Sequence, residues 1–197
     1  MKLHYMGKYN LDPDTLPKRE INGAVQFKEL ENTKQLAMIG TIIDLMIVVI
    51  LSVIAINRLD YFNYFEMSSQ ILTGLLLSLV ALFPHELLHA ICFKEDIYLY
   101  TNLKQGMLFV TGTELMSKRR FIMLSLNPNI ILGFIPYIIG MIFPQYIGLL
   151  VFGIFNIGAG AGDYYNVYNC LMQLPEGAKC FSSGIHTYWY KEETNEE

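Results

Sequence analysis

The stretch ALFPHELLHAICF, residues 81–93, decides how this chain is read, because it sets two histidines and a glutamate inside an otherwise apolar run. On a wet helix such residues would need no explanation. The flanking sequence removes that option. Between Glu66 and Lys94, His85, Glu86 and His89 are the only acidic or basic side chains. Between Lys34 and Arg58 the only charge is Asp44, and the 42 residues from 121 to 162 carry none.

A hydrocarbon core of ~30 Å takes about 20 apolar residues of helix to cross. Four stretches meet that length: 36–57, 70–93, 121–143 and 147–172, the last two joined at Pro144. Composition agrees, with 53% hydrophobic and 16% charged residues, where soluble domains carry about a quarter charged. The expected fold class is an all-α membrane protein with four transmembrane helices. The membrane domain, 36–173, lies between a cytoplasmic N-terminal segment, 1–35, and a cytoplasmic C-terminal tail, 174–197. The first 35 residues are polar and mixed in charge, so no secretory leader is expected there.

Lysine and arginine set the orientation. Six fall in the N-terminal segment, five in the loop 94–120 and two in the tail, against Arg58 alone in the connection 58–69 and none at Pro144. Both termini and the central loop are therefore expected in the cytoplasm. Tyr61, Phe62, Tyr64, Phe65 and Tyr146 are expected at the outer interface. Cys92, Cys170 and Cys180 lack paired spacing and lie toward the reducing side, which argues against a disulfide framework. No basic patch points to a nucleic acid; the expected surroundings are a lipid bilayer. The ending KEETNEE reads as a solvated acidic end.

Within that frame HELLH has the form H-E-x-x-H. On a helix, His85 and His89 project from one face. Two imidazoles so placed can bind one zinc ion, and Glu86 can reach its water and take a proton from it. Such chemistry attacks a carbonyl, most naturally a peptide bond of a peptide or membrane-protein substrate. Ionisable residues at membrane depth are costly and mark function. Pro84 should kink or restart the helix just before the motif.

A catalytic zinc site has three protein ligands and one open position. Asp44 and Asp163 are the acids inside other spans. With ~1.5 Å of rise per residue, Asp163 and the histidines lie at one height when the second and fourth spans are entered from outside. Asp44 is not excluded by depth. The local sequence NIGAGAGD favours Asp163, because Gly158, Gly160 and Gly162 allow close helix approach or local unwinding. Asn156, one turn below, is a candidate to hydrogen-bond a ligand, substrate or oxyanion. Residues 97–114, IYLYTNLKQGMLFVTGTE, read as a β-hairpin turning at Lys104–Gly106, whose edge could hold an extended substrate. Lys118, Arg119 and Arg120 are expected at anionic headgroups.

With HExxH in one span and a glycine-led aspartate in a later one, the chain resembles site-2-protease-type intramembrane metalloproteases. More closely, it resembles a domain-of-unknown-function family of small membrane proteins described as putative zincin peptidases. The similar elements are FPHELLHAICF, MSKRRFIMLSLNP, GAGAGD and LPEGAKCFSSGIHTYWY, across roughly residues 80–190. The resemblance implies zinc held by His85, His89 and Asp163, with Glu86 as catalytic acid and base. Asp163 follows glycine and precedes Tyr164, whereas in site-2 proteases the ligand aspartate follows Asn-Pro or leucine and precedes glycine. Two other readings stay open: a non-catalytic zinc protein with Cys92 as a fourth ligand, and a metal-free helical scaffold.

Overall fold

The computed structural model describes residues 1–30, 33–57, 64–102 and 107–192. The described chain is mostly helical, but it also carries two β-sheets, so the all-α expectation gives way to a mixed fold. Arg58, Tyr61, Phe62, the Lys104–Gly106 turn and most of the KEETNEE ending lie outside the described residues, as do the side chains of Tyr64 and Phe65.

Seven α-helices run in the order α1 (Thr33–Ile56), α2 (Tyr64–Val80), α3 (Leu82–Ala90), α4 (Lys118–Pro128), α5 (Ile135–Ile142), α6 (Ile147–Gly158) and α7 (Ala161–Gln173). Gln35–Ile56 and Lys118–Ile142 are each long and apolar enough to cross a membrane. Two further helix pairs are long and apolar enough only when taken together, each as a broken span or a re-entrant loop: Met67–Val80 with Leu82–Ala90, bent by 45°, and Ile147–Gly158 with Ala161–Gln173, bent by 49°. These four stretches overlie the four read from the sequence. The first break follows from Pro84, which has no N–H for the carbonyl of Val80, so the helix restarts at Leu82. The Lys118–Ile142 span contains Pro128, after which Asn129–Phe134 form a π-helical stretch before α5.

The chain divides into two compact units, and the boundary passes along α3, α4 and α7. One comprises residues 30–85 and 126–164 and is wholly helical. Its core sets Ala55, Leu150 and Ile154 against Val48, Leu51, Tyr137 and Met141. Helices α2 and α6 meet backbone to backbone, since a Cβ at Gly74 would stand 2.5 Å from the carbonyl oxygen of Gly148. Much of the outer surface is apolar: Met38, Ile42, Leu45, Met46, Val49 and Val53 of α1 are all exposed. That is the surface a helix presents to hydrocarbon, where only its own backbone hydrogen bonds are available.

The other unit comprises residues 1–29, 86–125 and 165–197. Strands β1 (Leu3–Lys8), β3 (Ile97–Asn102) and β4 (Met107–Thr111) form one sheet in the order β1-β3-β4, with β1 parallel to β3 and β4 antiparallel to it. Strands β2 (Val25–Gln26), β5 (Met116–Ser117), β6 (Lys179–Ser183) and β7 (His186–Tyr190) form a second, ordered β2-β7-β6-β5. Its core gathers Phe27, Met116, Phe121, Cys170, Leu174, Ala178 and Cys180. The N-terminal segment and the tail are thus structural strands rather than appendages.

The basic run entering α4 also departs from expectation. Lys118 donates to the carbonyls of Leu171 and Leu174 at 3.1 and 3.2 Å, closing the C-terminal end of α7. Arg120 pairs with Glu114 and donates to the carbonyl of Cys92 at 2.8 Å. Arg119 is exposed. Glu114 also accepts the amides of Lys94 and Glu95 at 2.6 and 3.1 Å, so one buried carboxylate ties down the chain leaving α3. Burial pushes its pKa up, but the hydrogen bonds from Arg120 and the two amides outweigh it and hold the pKa below the ordinary 4.5.

A lowered folded-state pKa contributes stability above the unfolded value that is lost as pH falls through the folded one. Glu114→Gln should therefore lower stability at neutral pH by about 2–3 kcal/mol, less than the full cost of breaking a buried pair because Arg120 keeps some solvent. The parent-minus-variant difference should shrink as pH drops below 4.5. Unfolding followed between pH 3 and pH 7 (roughly the range where carboxylates titrate) checks both.

Candidate metal centre

Helix α3 brings the motif together. The ligand atoms of His85, Glu86 and His89 all lie within 4.8 Å of one another, as i, i+1 and i+4 positions on a helix allow. Among the described residues, Asp163, Asp44 and Cys92 are outside that mutual group.

Asp163 reaches it through His85. Its Oδ2 stands 3.3 Å from His85 Nε2, with both side chains nearly buried. Four zinc ligands at ~2.0–2.1 Å in a tetrahedron stand about 3.3–3.4 Å apart, so this pair already has the separation of two ligands on one ion. Asp163 occupies the first turn of α7, where the helix dipole favours a negative charge.

His89 is oriented from behind. Its Nδ1 lies 2.9 Å from the carbonyl oxygen of Leu124. A carbonyl only accepts, so Nδ1 carries the proton and Nε2 presents its lone pair. That is the tautomer a metal requires, with the second nitrogen fixed by a backbone acceptor.

Glu86 Oε2 accepts the amide of Val110 at 2.9 Å. Val110 belongs to β4, an edge strand of its sheet. Alternate residues of a strand address its neighbour, so the Val110 amide lies on the side away from β3.

The remaining candidates have other roles. Asp44 Oδ1 accepts the amide of Ala161 at 3.0 Å, so this acid of α1 caps the first turn of α7. Asn156 gives its amide hydrogens to the carbonyl of Phe152 at 2.8 Å and to Ser78 Oγ at 3.5 Å. The Cys92 thiol, just beyond α3, donates to the carbonyl of Leu88 in that helix at 3.4 Å.

Two residues that the sequence reading did not select stand beside Asp163. Asn129, fully buried at the start of the π-helical stretch, donates from Nδ2 to Asp163 Oδ2 at 2.6 Å. Tyr164 shares its hydroxyl hydrogen between Asn129 Oδ1 at 3.2 Å and the carbonyl of Ile157 at 2.9 Å. The signal for Asn129 was present: an amide beside a proline within a charge-free span. The three glycines before Asp163 also separate. A Cβ at Gly158 would meet Val48, and one at Gly160 would collide with the Asn129 amide and the Tyr164 ring, while one at Gly162 would meet nothing within 4 Å.

A glutamate between two histidines on one helical face, with a carboxylate 3.3 Å from the first, defines the zincin class. The chain belongs to the family described as "Putative zincin peptidase", whose profile matches residues 78–179, just over half of its length. No curated protein and no solved structure matches it.

The glycines give a test. Gly160→Ala should destabilise the protein by about 1–3 kcal/mol through overpacking. Gly162→Ala should be neutral or stabilising by up to about 1 kcal/mol, because alanine is the better helix former. Thermal unfolding of the two variants in detergent separates them.

Proposed function

We propose that this protein is a membrane-embedded zinc peptidase of the site-2-protease kind, cutting a peptide or membrane-protein substrate near the cytoplasmic face. One observation carries the reading: α3 clusters His85, Glu86 and His89 while Asp163 stands at tetrahedral-edge distance from His85. His85, His89 and Asp163 would hold the metal. A bound zinc ion would supply Lewis acidity that lowers the pKa of a water to about 7.

Glu86 would serve as general base and then general acid, accepting a proton from the attacking water and giving it to the leaving amine. A carboxylate suits both steps because it accepts as an anion and donates once protonated. The Val110 amide holds Oε2 of Glu86 in place. The Val110 amide lies on the outer edge of β4, so a substrate strand added along that edge would run past Glu86 in extended form. An extended segment exposes the peptide bond that a helix would shield by its own hydrogen bonds. The bias of lysine and arginine supports a cytoplasmic side for both termini in this reading.

Glu86→Gln keeps an oxygen to accept from Val110 and leaves the metal-binding groups intact. Purified in detergent and incubated with a proteome-derived peptide library, the variant should retain zinc at the parent's stoichiometry while cleavage falls at least ~10²-fold, the usual contribution of a general base. Cleavage at the parent's rate would sink the mechanism, and mass spectrometry of the products reads it directly.

A further inference from the structure

We infer that Pro128 and Asn129, adjacent in the Lys118–Ile142 span, form a single positioning device that sets two of the three metal-binding side chains before any metal arrives. The inference rests on the ligand reading above. Neither residue touches the reacting atoms; each acts through another.

The proline acts by subtraction. In an unbroken helix the N–H of residue 128 would bond the carbonyl of Leu124, four residues back. Proline has no N–H, so that carbonyl is left open in a fully packed place. It is this carbonyl that accepts from His89 Nδ1 at 2.9 Å. The missing proton of one residue therefore determines which imidazole nitrogen of another carries its lone pair.

The asparagine acts by addition. The ladder, disturbed by the proline, continues as a π-helical stretch from Asn129 to Phe134. Such insertions gather at functional sites because they turn a side chain out of the regular register. Here the side chain is Asn129, wholly buried, whose Nδ2 donates at 2.6 Å to Asp163 Oδ2, the same oxygen that faces His85. The Asp163 carboxylate only accepts, which sets Nδ2 as the end of the amide that faces it and leaves Oδ1 toward the Tyr164 hydroxyl. A neutral donor suits the position: it holds the carboxylate without adding a positive charge that would oppose a cation.

The test is zinc affinity of the full-length protein in detergent, by competition with a chromophoric chelator, with Co²⁺ absorption reporting ligand geometry. Pro128→Ala restores an N–H that competes for the Leu124 carbonyl, and Asn129→Leu replaces the amide with an apolar side chain of similar shape. Each should weaken zinc binding by about 10- to 100-fold, the usual effect of losing a group that orients a metal ligand. Each should also alter the Co²⁺ spectrum.

The proline arm is the sharper one. Removing a proline from a helix interior favours the helix, so the thermal midpoint of metal-free Pro128→Ala should be unchanged or raised while its zinc affinity falls. A residue of merely structural importance would not give that pair of results. Parent affinity in both variants, with Asp163→Asn still weakened, would overturn the inference and leave the ligand reading standing. Parent affinity in Asp163→Asn would overturn the ligand reading and the inference with it. If Asn129→Leu does not fold, Pro128→Ala decides alone.

Discussion

Inside an apolar span every backbone polar group must find its partner within the protein, and this constraint organises the molecule. At three of the places where the regular ladder is interrupted among the described residues, the interruption is answered differently. At Pro84 the helix gives way, bending by 45° and restarting as the helix that carries the motif. At Pro128 the ladder survives as a π-helical stretch, and the carbonyl of Leu124 is taken by His89. At the start of α7 the first amide is met by Asp44, reaching across from α1. In each case the cost of an unsatisfied group in low dielectric is turned into the fixing of a side chain or a helix end.

The acids follow the same logic. A carboxylate in such surroundings persists only with donors or an opposite charge close by. Asp44 has an amide, Glu86 has an amide, and Asp163 has the Asn129 amide and a helix N-terminus. Glu114, outside the spans, has two amides and a guanidinium. Asp163 and Glu86 differ from Asp44 in facing imidazole groups as well as backbone, which separates acids that could share a cation from an acid that caps a helix.

Much of this was legible in the sequence, because hydropathy and charge act locally. The four apolar stretches, the helix restart near Pro84 and the pairing of Asp163 with the HExxH helix follow from period, depth and the run of small residues. Apart from the antiparallel β3–β4 pair, which falls within the stretch 97–114 read as a hairpin, the sheets were not legible. Val25 pairs with Trp189 and Leu3 with Ile97, separations at which no local pattern announces a partner. Strands such as LHYMGK and KCFSS mix polar, small and aromatic residues because only part of each is covered. Lys118 and Arg120 were read as headgroup anchors since basic residues at a span's start usually are. Their partners, α7 carbonyls and Glu114, lie far along the chain or behind a turn. Asn129 was overlooked because its importance lies in geometry that proline imposes, not in its own chemistry.

The pairing of Val25 with Trp189 also sets an order of events during synthesis. Chains emerge N-terminus first, and domains tend to fold as units as they appear. The four-stranded sheet cannot do so. Its β2 strand is made before any of the α-helices and waits for β7, which follows all of them. The core beneath it, from Phe27 to Cys180, is likewise contributed by both ends of the chain. A nascent chain stalled before residue 186 lacks β7 altogether, so this unit cannot be completed until that strand has been made.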